Sequence, residues 1–193
     1  MTEELDAEYE KVYQKLESGF IIRRQQQRPG AMQGKLSASS TLVQTVASLH
    51  FELVPTLDLN GDTAYIVINV PKTLSFQGPS CTVRDIKGDF SKEMLCSRVN
   101  HQLTLSGPFK GQFIAAKAET LSMTVEEFLL PTSVQDIGTI QVITYDLRLA
   151  KGETEMKYRP IDMVELSDLR TESGAIIKLS EVEVSSTVTS MLD

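Results

Sequence analysis

The side chains of this chain that could do chemistry are few and scattered. Two cysteines, Cys81 and Cys96, have fourteen residues between them, including the turn signal Gly88-Asp89. That spacing suits two nearby strands joined by a turn. It leaves two readings open: a bond closing a loop near 15 residues, a constraint of about 3 kcal/mol in the chain-entropy picture, or a pair of reduced thiols. The only histidines are His50 and His101, and Cys81, Cys96 and His101 lack the two-to-four-residue ligand spacing of a zinc knuckle. Asp58, Asn60 and Asp62 alternate around Gly61 and could open a calcium loop. The twelfth position of such a loop requires a bidentate glutamate, and here it is Asn69. A plain hairpin turn is the preferred reading, with surface calcium as the alternative.

Glu126 and Glu127 are adjacent carboxylates. Successive strand residues point to opposite faces, so the two are not expected to act on one substrate atom. No serine elbow, phosphate-cradling glycine loop or dinucleotide fingerprint occurs. The chain has no tryptophan for a sugar-stacking platform. The expectation is a protein without catalysis and without a cofactor.

The elements that would hold these residues read as strands. Leu49, Phe51 and Leu53 alternate with Ser48, His50 and Glu52, which predicts one buried and one wet face and puts His50 on the wet one. Asn60-Gly61 is the strongest two-residue hairpin signal, because both central positions of a type I′ turn need positive φ. The predicted return strand, Thr63 to Val70, is closed by Pro71, which cannot continue a ladder. Further strands are predicted at Cys81–Ile86, His101–Leu105, Gln112–Ala115, Thr120–Phe128 and Thr139–Tyr145, then around Ile161, Met163 and Glu165, and at Ala175–Leu179 and Glu181–Thr189. Glu3–Leu16 is the one helical candidate. Leu49, Phe51, Leu53, Tyr65, Val67 and Val142 are the predicted core.

Composition narrows the partners. Hydrophobic residues make up 41% and charged residues 23%, ordinary values for a globular chain, and no apolar run is long enough to span a bilayer as a helix. The formal net charge of −7 argues against nucleic acid, whose phosphates select basic surfaces. The one basic cluster, Arg23, Arg24 and Arg28, is threaded with glutamines, lacks aromatics for base stacking, and reads as a solvated linker. The acidic start has no apolar signal-peptide core. If Met1 is the true start, the expected compartment is the cytoplasm; if the chain is a fragment, that absence carries no information.

The chain also echoes itself. Leu16–Ile22 resembles Thr171–Ile177, and Leu36–Leu42 resembles Val182–Val188. The two offsets differ by nine residues, the length of Arg23–Ala31. Read as a repeat, this divides the chain into the end of a preceding unit and a junction (1–35), one β-sandwich (36–179) and the first strand of a following unit (180–193).

A family resemblance follows from the order of these segments. Phe51-Glu-Leu-Val-Pro-Thr comes first, then Asn60-Gly61 and the isoleucine-rich run ending at Pro71, then the cysteine pair. Leu121-Ser-Met-Thr-Val, Leu130-Pro-Thr-Ser-Val and Gly138-Thr-Ile-Gln-Val-Ile-Thr-Tyr-Asp complete the series. The pattern, over about residues 36 to 146, resembles the immunoglobulin-like repeats of very large surface proteins of ciliates and related protists. The resemblance implies an all-β, immunoglobulin-like antiparallel sandwich with flanking segments of neighbouring repeats. It also implies an extracellular setting and a bond between Cys81 and Cys96. The chain departs from that pattern in having more charge, less Ser/Thr, and no glycosylation sequon at Asn60, Asn69 or Asn100.

The expected function is therefore that of a structural or adhesive module of an extracellular filament, coat or ciliary appendage. Its partners would be neighbouring repeats and other chains of the assembly, with no nucleic acid and no membrane insertion. The alternatives are an intracellular sandwich that binds a protein with both cysteines reduced, and a surface module for carbohydrate or calcium.

Overall fold

A computed structural model describes residues 29–117, 120–149 and 153–174. Alternation builds its central layer. Strand β3 (Val46–Val54) buries Leu49, Phe51 and Leu53 completely and leaves His50 and Glu52 at the outer side. It pairs antiparallel with β2 (Gln33–Ala38) on one side and β9 (Leu121–Leu129) on the other. The far edge of β9 is shared by the two-residue β5 (Ser75–Phe76) and by β6 (Val83–Lys87). These five strands are the first sheet.

The second sheet has six strands in the order β1 (Gly30–Ala31), β11 (Lys157–Leu166), β10 (Ile140–Arg148), β4 (Tyr65–Asn69), β8 (Gln102–Ser106) and β7 (Leu95–Val99). All of its pairings are antiparallel except β1 with β11. The chain thus changes sheets at Met32, whose N–H donates to Met163 O at 3.0 Å. The two central neighbourhoods, β2-β3-β9 and β1-β11-β10-β4, reproduce the two-sheet order of an immunoglobulin-like sandwich. Between the sheets lies a core of Phe51, Phe90, Phe113, Phe128, Leu103, Leu105, Ile66, Ile68 and Val142, among others. Among the described residues no helix is long and apolar enough to cross a membrane.

Several expectations need correction. Asn60-Gly61 is not a hairpin turn, because β3 and β4 lie in different sheets and do not pair. Gly61 has no positive φ. Its glycine is required by packing instead, since a Cβ there would collide with the backbone carbonyl of Gly111. The two-residue hairpin is Asn100-His101, between β7 and β8, with Asn100 at φ 54°.

The register of β4 is also shifted by one residue. Ile66 and Ile68 face the core, while Tyr65, Val67 and Asn69 occupy the opposite face. A strand whose residues are nearly all β-branched or aromatic has no polar alternation to report its register. Val67 is covered, but by its neighbours on the outer face.

Gln112–Ala115 forms only a single bridge, Phe113 with Leu59, before a 3₁₀ turn at Ala115–Lys117. The described sandwich starts at Gly30, so a boundary at residue 36 would cut through β2. Glu3–Leu16, the Arg23–Arg28 cluster and the strands expected at Ala175–Leu179 and Glu181–Thr189 lie outside the described residues. So do most of the internal echo and the proposed flanking repeats.

Candidate functional site: the outer face of the six-stranded sheet

The shared register of β8, β4, β10 and β11 sorts their outward residues into three rows. Gln102, Asn69, Gln141 and Glu165 stand opposite one another across the four strands. Their side chains are hydrogen-bonded in sequence. Gln102 Nε2 donates to Asn69 Oδ1 at 2.9 Å, Asn69 Nδ2 to Gln141 Oε1 at 3.0 Å, and Gln141 Nε2 to Glu165 Oε1 at 3.2 Å. The next row is Thr104, Val67, Ile143 and Met163. The third carries Ser106, Tyr65, Tyr145 and Pro160.

Tyr65 and Tyr145 stack at 4.9 Å with their planes 2° apart, and Tyr158 meets Tyr65 edge-on at 5.2 Å. Burial pushes the Tyr65 hydroxyl above the usual phenol range, and the neighbouring Tyr145 and Tyr158 hydroxyls add to the shift. Tyr158 is itself 55% exposed. The face thus presents phenol edges, methyls and a polarised amide chain, the mixture that serves contact rather than proton transfer.

Beyond β8 the sheet ends at β7, where the outward Leu95 and Val99 are 72% and 68% exposed. On the opposite side of β7, Cys96 and Arg98 are half-buried. Arg98 lies over the Phe76 ring at 4.6 Å, and its Nη1 has no hydrogen-bond partner among the described residues. Cys96 is bonded to Cys81, with Cα atoms 5.5 Å apart. Because Cys81 precedes β6 of one sheet and Cys96 lies on β7 of the other, the bond joins the two sheets across their open edge. The two cysteines do not sit on paired strands, as a simple hairpin between them would require.

The upper loops hold the remaining candidates. Asp58 Oδ1 accepts the Ala115 N–H at 2.8 Å, and Asn60 Oδ1 accepts the Asp62 N–H at 3.1 Å. Two of the three calcium candidates are thereby spent on backbone amides. Asn60 and Asp62 border a cleft of about 690 Å³ that Asp146 and Arg148 also line. Asp146 is buried and accepts from Asn60 N, Thr63 Oγ1 and Leu147 N at 2.5 to 3.0 Å, and its carboxylate pairs with Arg148 at 3.0 Å. Asp162, wholly buried, does the same for Thr56 and Leu57. These two carboxylates are anchors for the crossover between the sheets. The sequence signal for Asp146 was its phase: it follows Val142 and Thr144 at inward positions of β10. Among the described residues no group of three or more His, Cys, Asp or Glu side chains could hold a metal.

His50 Nδ1 lies 3.1 Å from Thr124 Oγ1 on the outer side of the five-stranded sheet. His101 sits in the tight turn with a buried Nδ1 that has no partner among the described residues. Glu126 and Glu127 do not point to opposite faces. A bulge sets both of them against Ser48 alone, between the inward Val125 and Phe128, with Glu127 at φ 70°. Glu126 pairs with Arg84 at 3.0 Å and Glu127 accepts from Ser80 at 3.1 Å, so both carboxylates tie down β6 and the loop before it.

No protein-family model matches the chain. No curated protein matches it either. Among solved structures it is similar to BslA, a bacterial hydrophobin, with 10% identity over 76% of this chain and 98% of that one, at a TM-score of 0.40. It is similar also to the seventh ScaB type I cohesin of Pseudobacteroides cellulosolvens (9% identity, 78% and 98% covered, TM-score 0.31) and to the Reelin-N domain of F-spondin (10%, 72% and 88%, 0.30). Likenesses of this size speak to neither ancestry nor function.

Proposed function

We propose that the chain is a non-catalytic structural or adhesive module that works outside the cytoplasm, in series with neighbouring modules. The observation that carries this reading is the Cys81–Cys96 bond. Disulfides persist in oxidising compartments, and this one braces an open sandwich edge that no strand covers among the described residues. The polar groups fit a scaffold as well: Asp146 and Asp162 are consumed in holding loops, which leaves the outer face of the second sheet as the surface for partners.

Chain direction supports the serial arrangement. β1 enters beside the middle of β11 from the Thr56–Asp62 end, and the chain leaves past Thr171 and Glu172, beside Leu42 at the opposite end. Modules entered at one end and left at the other can be strung in line, as the resemblance to protist surface repeats implies. The reading is tested by mapping thiols without reduction in protein taken from its native setting. Quantitative recovery of a Cys81–Cys96 peptide pair is expected. Two freely alkylated cysteines would overturn the extracellular reading.

A further inference from the structure

We infer that the free edge of β7 is a strand-acceptor site, and that its occupant is the segment Val182–Val188 of a second copy. The inference rests on the serial-module reading above. Among the described residues four sheet edges are free, and they differ in how they are protected. β2 points Lys35 outward among Gln33 and Ser37, and β11 is partly covered by β1. β6 is bulged at Asp85, which has φ 51°, and β5 is two residues long. Charges, bulges and short length are the usual means of keeping an edge from pairing. β7 has no bulge and no outward charge, its one charged residue, Arg98, lying on the other face. It pairs with β8 over five residues without a register shift, and its outward residues are Leu95, Ser97 and Val99.

The occupant is chosen by complementarity. Val184-Ser-Ser-Thr-Val188 places Val, Ser and Val at alternate positions, the same spacing as Leu95, Ser97 and Val99. Antiparallel pairing centred on Ser97 and Ser186 sets Val184 against Val99 and Val188 against Leu95. It then puts Glu183 diagonal to Arg98 on the other face, a distance a long side chain can span, so that opposite charges are matched there. The parallel alternative carries Glu183 away from Arg98. The described chain ends at Gly174 next to the β2 side, where Glu172 bridges Leu42, whereas β7 lies four strand spacings beyond β11, about 19 Å. A return to the same chain's β7 would have to cross that width, whereas a neighbour in line offers its β7 without the crossing, and the double variant below separates the two.

Variants of the full chain that each add one cysteine to the bonded Cys81–Cys96 pair test this. Ser97→Cys and Ser186→Cys proteins, mixed under mild oxidation, are expected to give a dimer linked between position 97 of one copy and 186 of the other. Val99→Lys in the acceptor is expected to abolish that link while leaving the Cys81–Cys96 bond and the unfolding midpoint unchanged. Three results would overturn the proposal: Ser97→Cys linking only to itself, a double variant linking within one chain, or no link at all. A 97–186 link in a protein whose Cys81 and Cys96 prove reduced in their native setting would keep strand exchange and remove the extracellular reading. An oxidised pair without the link would do the reverse.

Discussion

Thr56 and Asp162, 106 residues apart in the chain, are joined twice: the Thr56 N–H and hydroxyl donate to the two carboxylate oxygens at 2.7 and 2.8 Å. The Leu57 N–H adds a third bond at 3.0 Å. These bonds fasten the β3–β4 crossover to β11. Removing the acceptor leaves buried amides without partners, so Asp162→Ala is expected to cost about 3–5 kcal/mol. Asp162→Asn, which keeps one acceptor, should cost less. Urea unfolding of the three proteins checks the order, and equal midpoints for all three would show that the anchor contributes nothing.

The register of β4 can be tested in the same way. Ile68 faces the core and is fully buried, so Ile68→Thr places a hydroxyl among Val142, Leu103 and their neighbours. The expected loss is about 2–4 kcal/mol. Val67→Thr, on the outer face beside Thr104, keeps its β-branched shape and should lose less than about 1 kcal/mol. The opposite order would restore the register in which Val67 and Tyr65 point inward. Phe51, wholly buried in the facing sheet, should cost about 3–5 kcal/mol as Phe51→Ala.

The contrast between β3 and β4 shows what a single sequence can report. β3 alternates Leu49, Phe51 and Leu53 with polar residues, and that alternation is the physical record of one wet and one dry face. From Tyr65 to Ile68, β4 is apolar on both faces, because Tyr65 and Val67 are covered by Tyr145 and Ile143 on the outer one. Its alternation is erased, and register is lost with it. Asn60-Gly61 misleads for a different reason. Glycine there answers to the close approach of Gly111, a contact between residues fifty positions apart that no local turn rule contains. The phase of Asp146 shows only that it points inward, and the anchoring role of Asp146 and Asp162 is not legible in sequence, since most of the groups they bind come from distant loops. The amide row from Gln102 to Glu165 is likewise set by four strands in register, and only pairing reveals it.

The disulfide should matter beyond its loop entropy. Replacing both cysteines with serine releases a constraint of about 3 kcal/mol for a loop of this size. It also unfastens β7 from the loop before β6, where the sheets are otherwise held by Phe76, Arg98 and their neighbours. Hydrogen exchange should therefore quicken first in β6 and β7, while β3 and β10 keep their protection. Uniform acceleration across all strands would mean that the bond acts on the unfolded chain alone.

The tyrosine row makes a pH signature. The Tyr65 hydroxyl is held above the ordinary phenol range, first by burial and then by the nearby Tyr145 and Tyr158. The folded protein therefore keeps a proton that the unfolded chain gives up near pH 10. Between the unfolded and folded pKa values the native state binds more protons than the unfolded one, so stability must fall as pH rises through that window. Below about pH 9 the contribution is level, because both states are protonated. Tyr65→Phe removes the titrating group and keeps the ring that stacks on Tyr145. Its stability should decline less steeply above about pH 10 than that of the unaltered protein, measured by urea unfolding at each pH. Absorbance of the phenolate band should show one tyrosine fewer ionising late in the folded variant. Parallel stability curves for the two proteins would mean that Tyr65 titrates as a free phenol, and that the three rings are not packed as the structure places them.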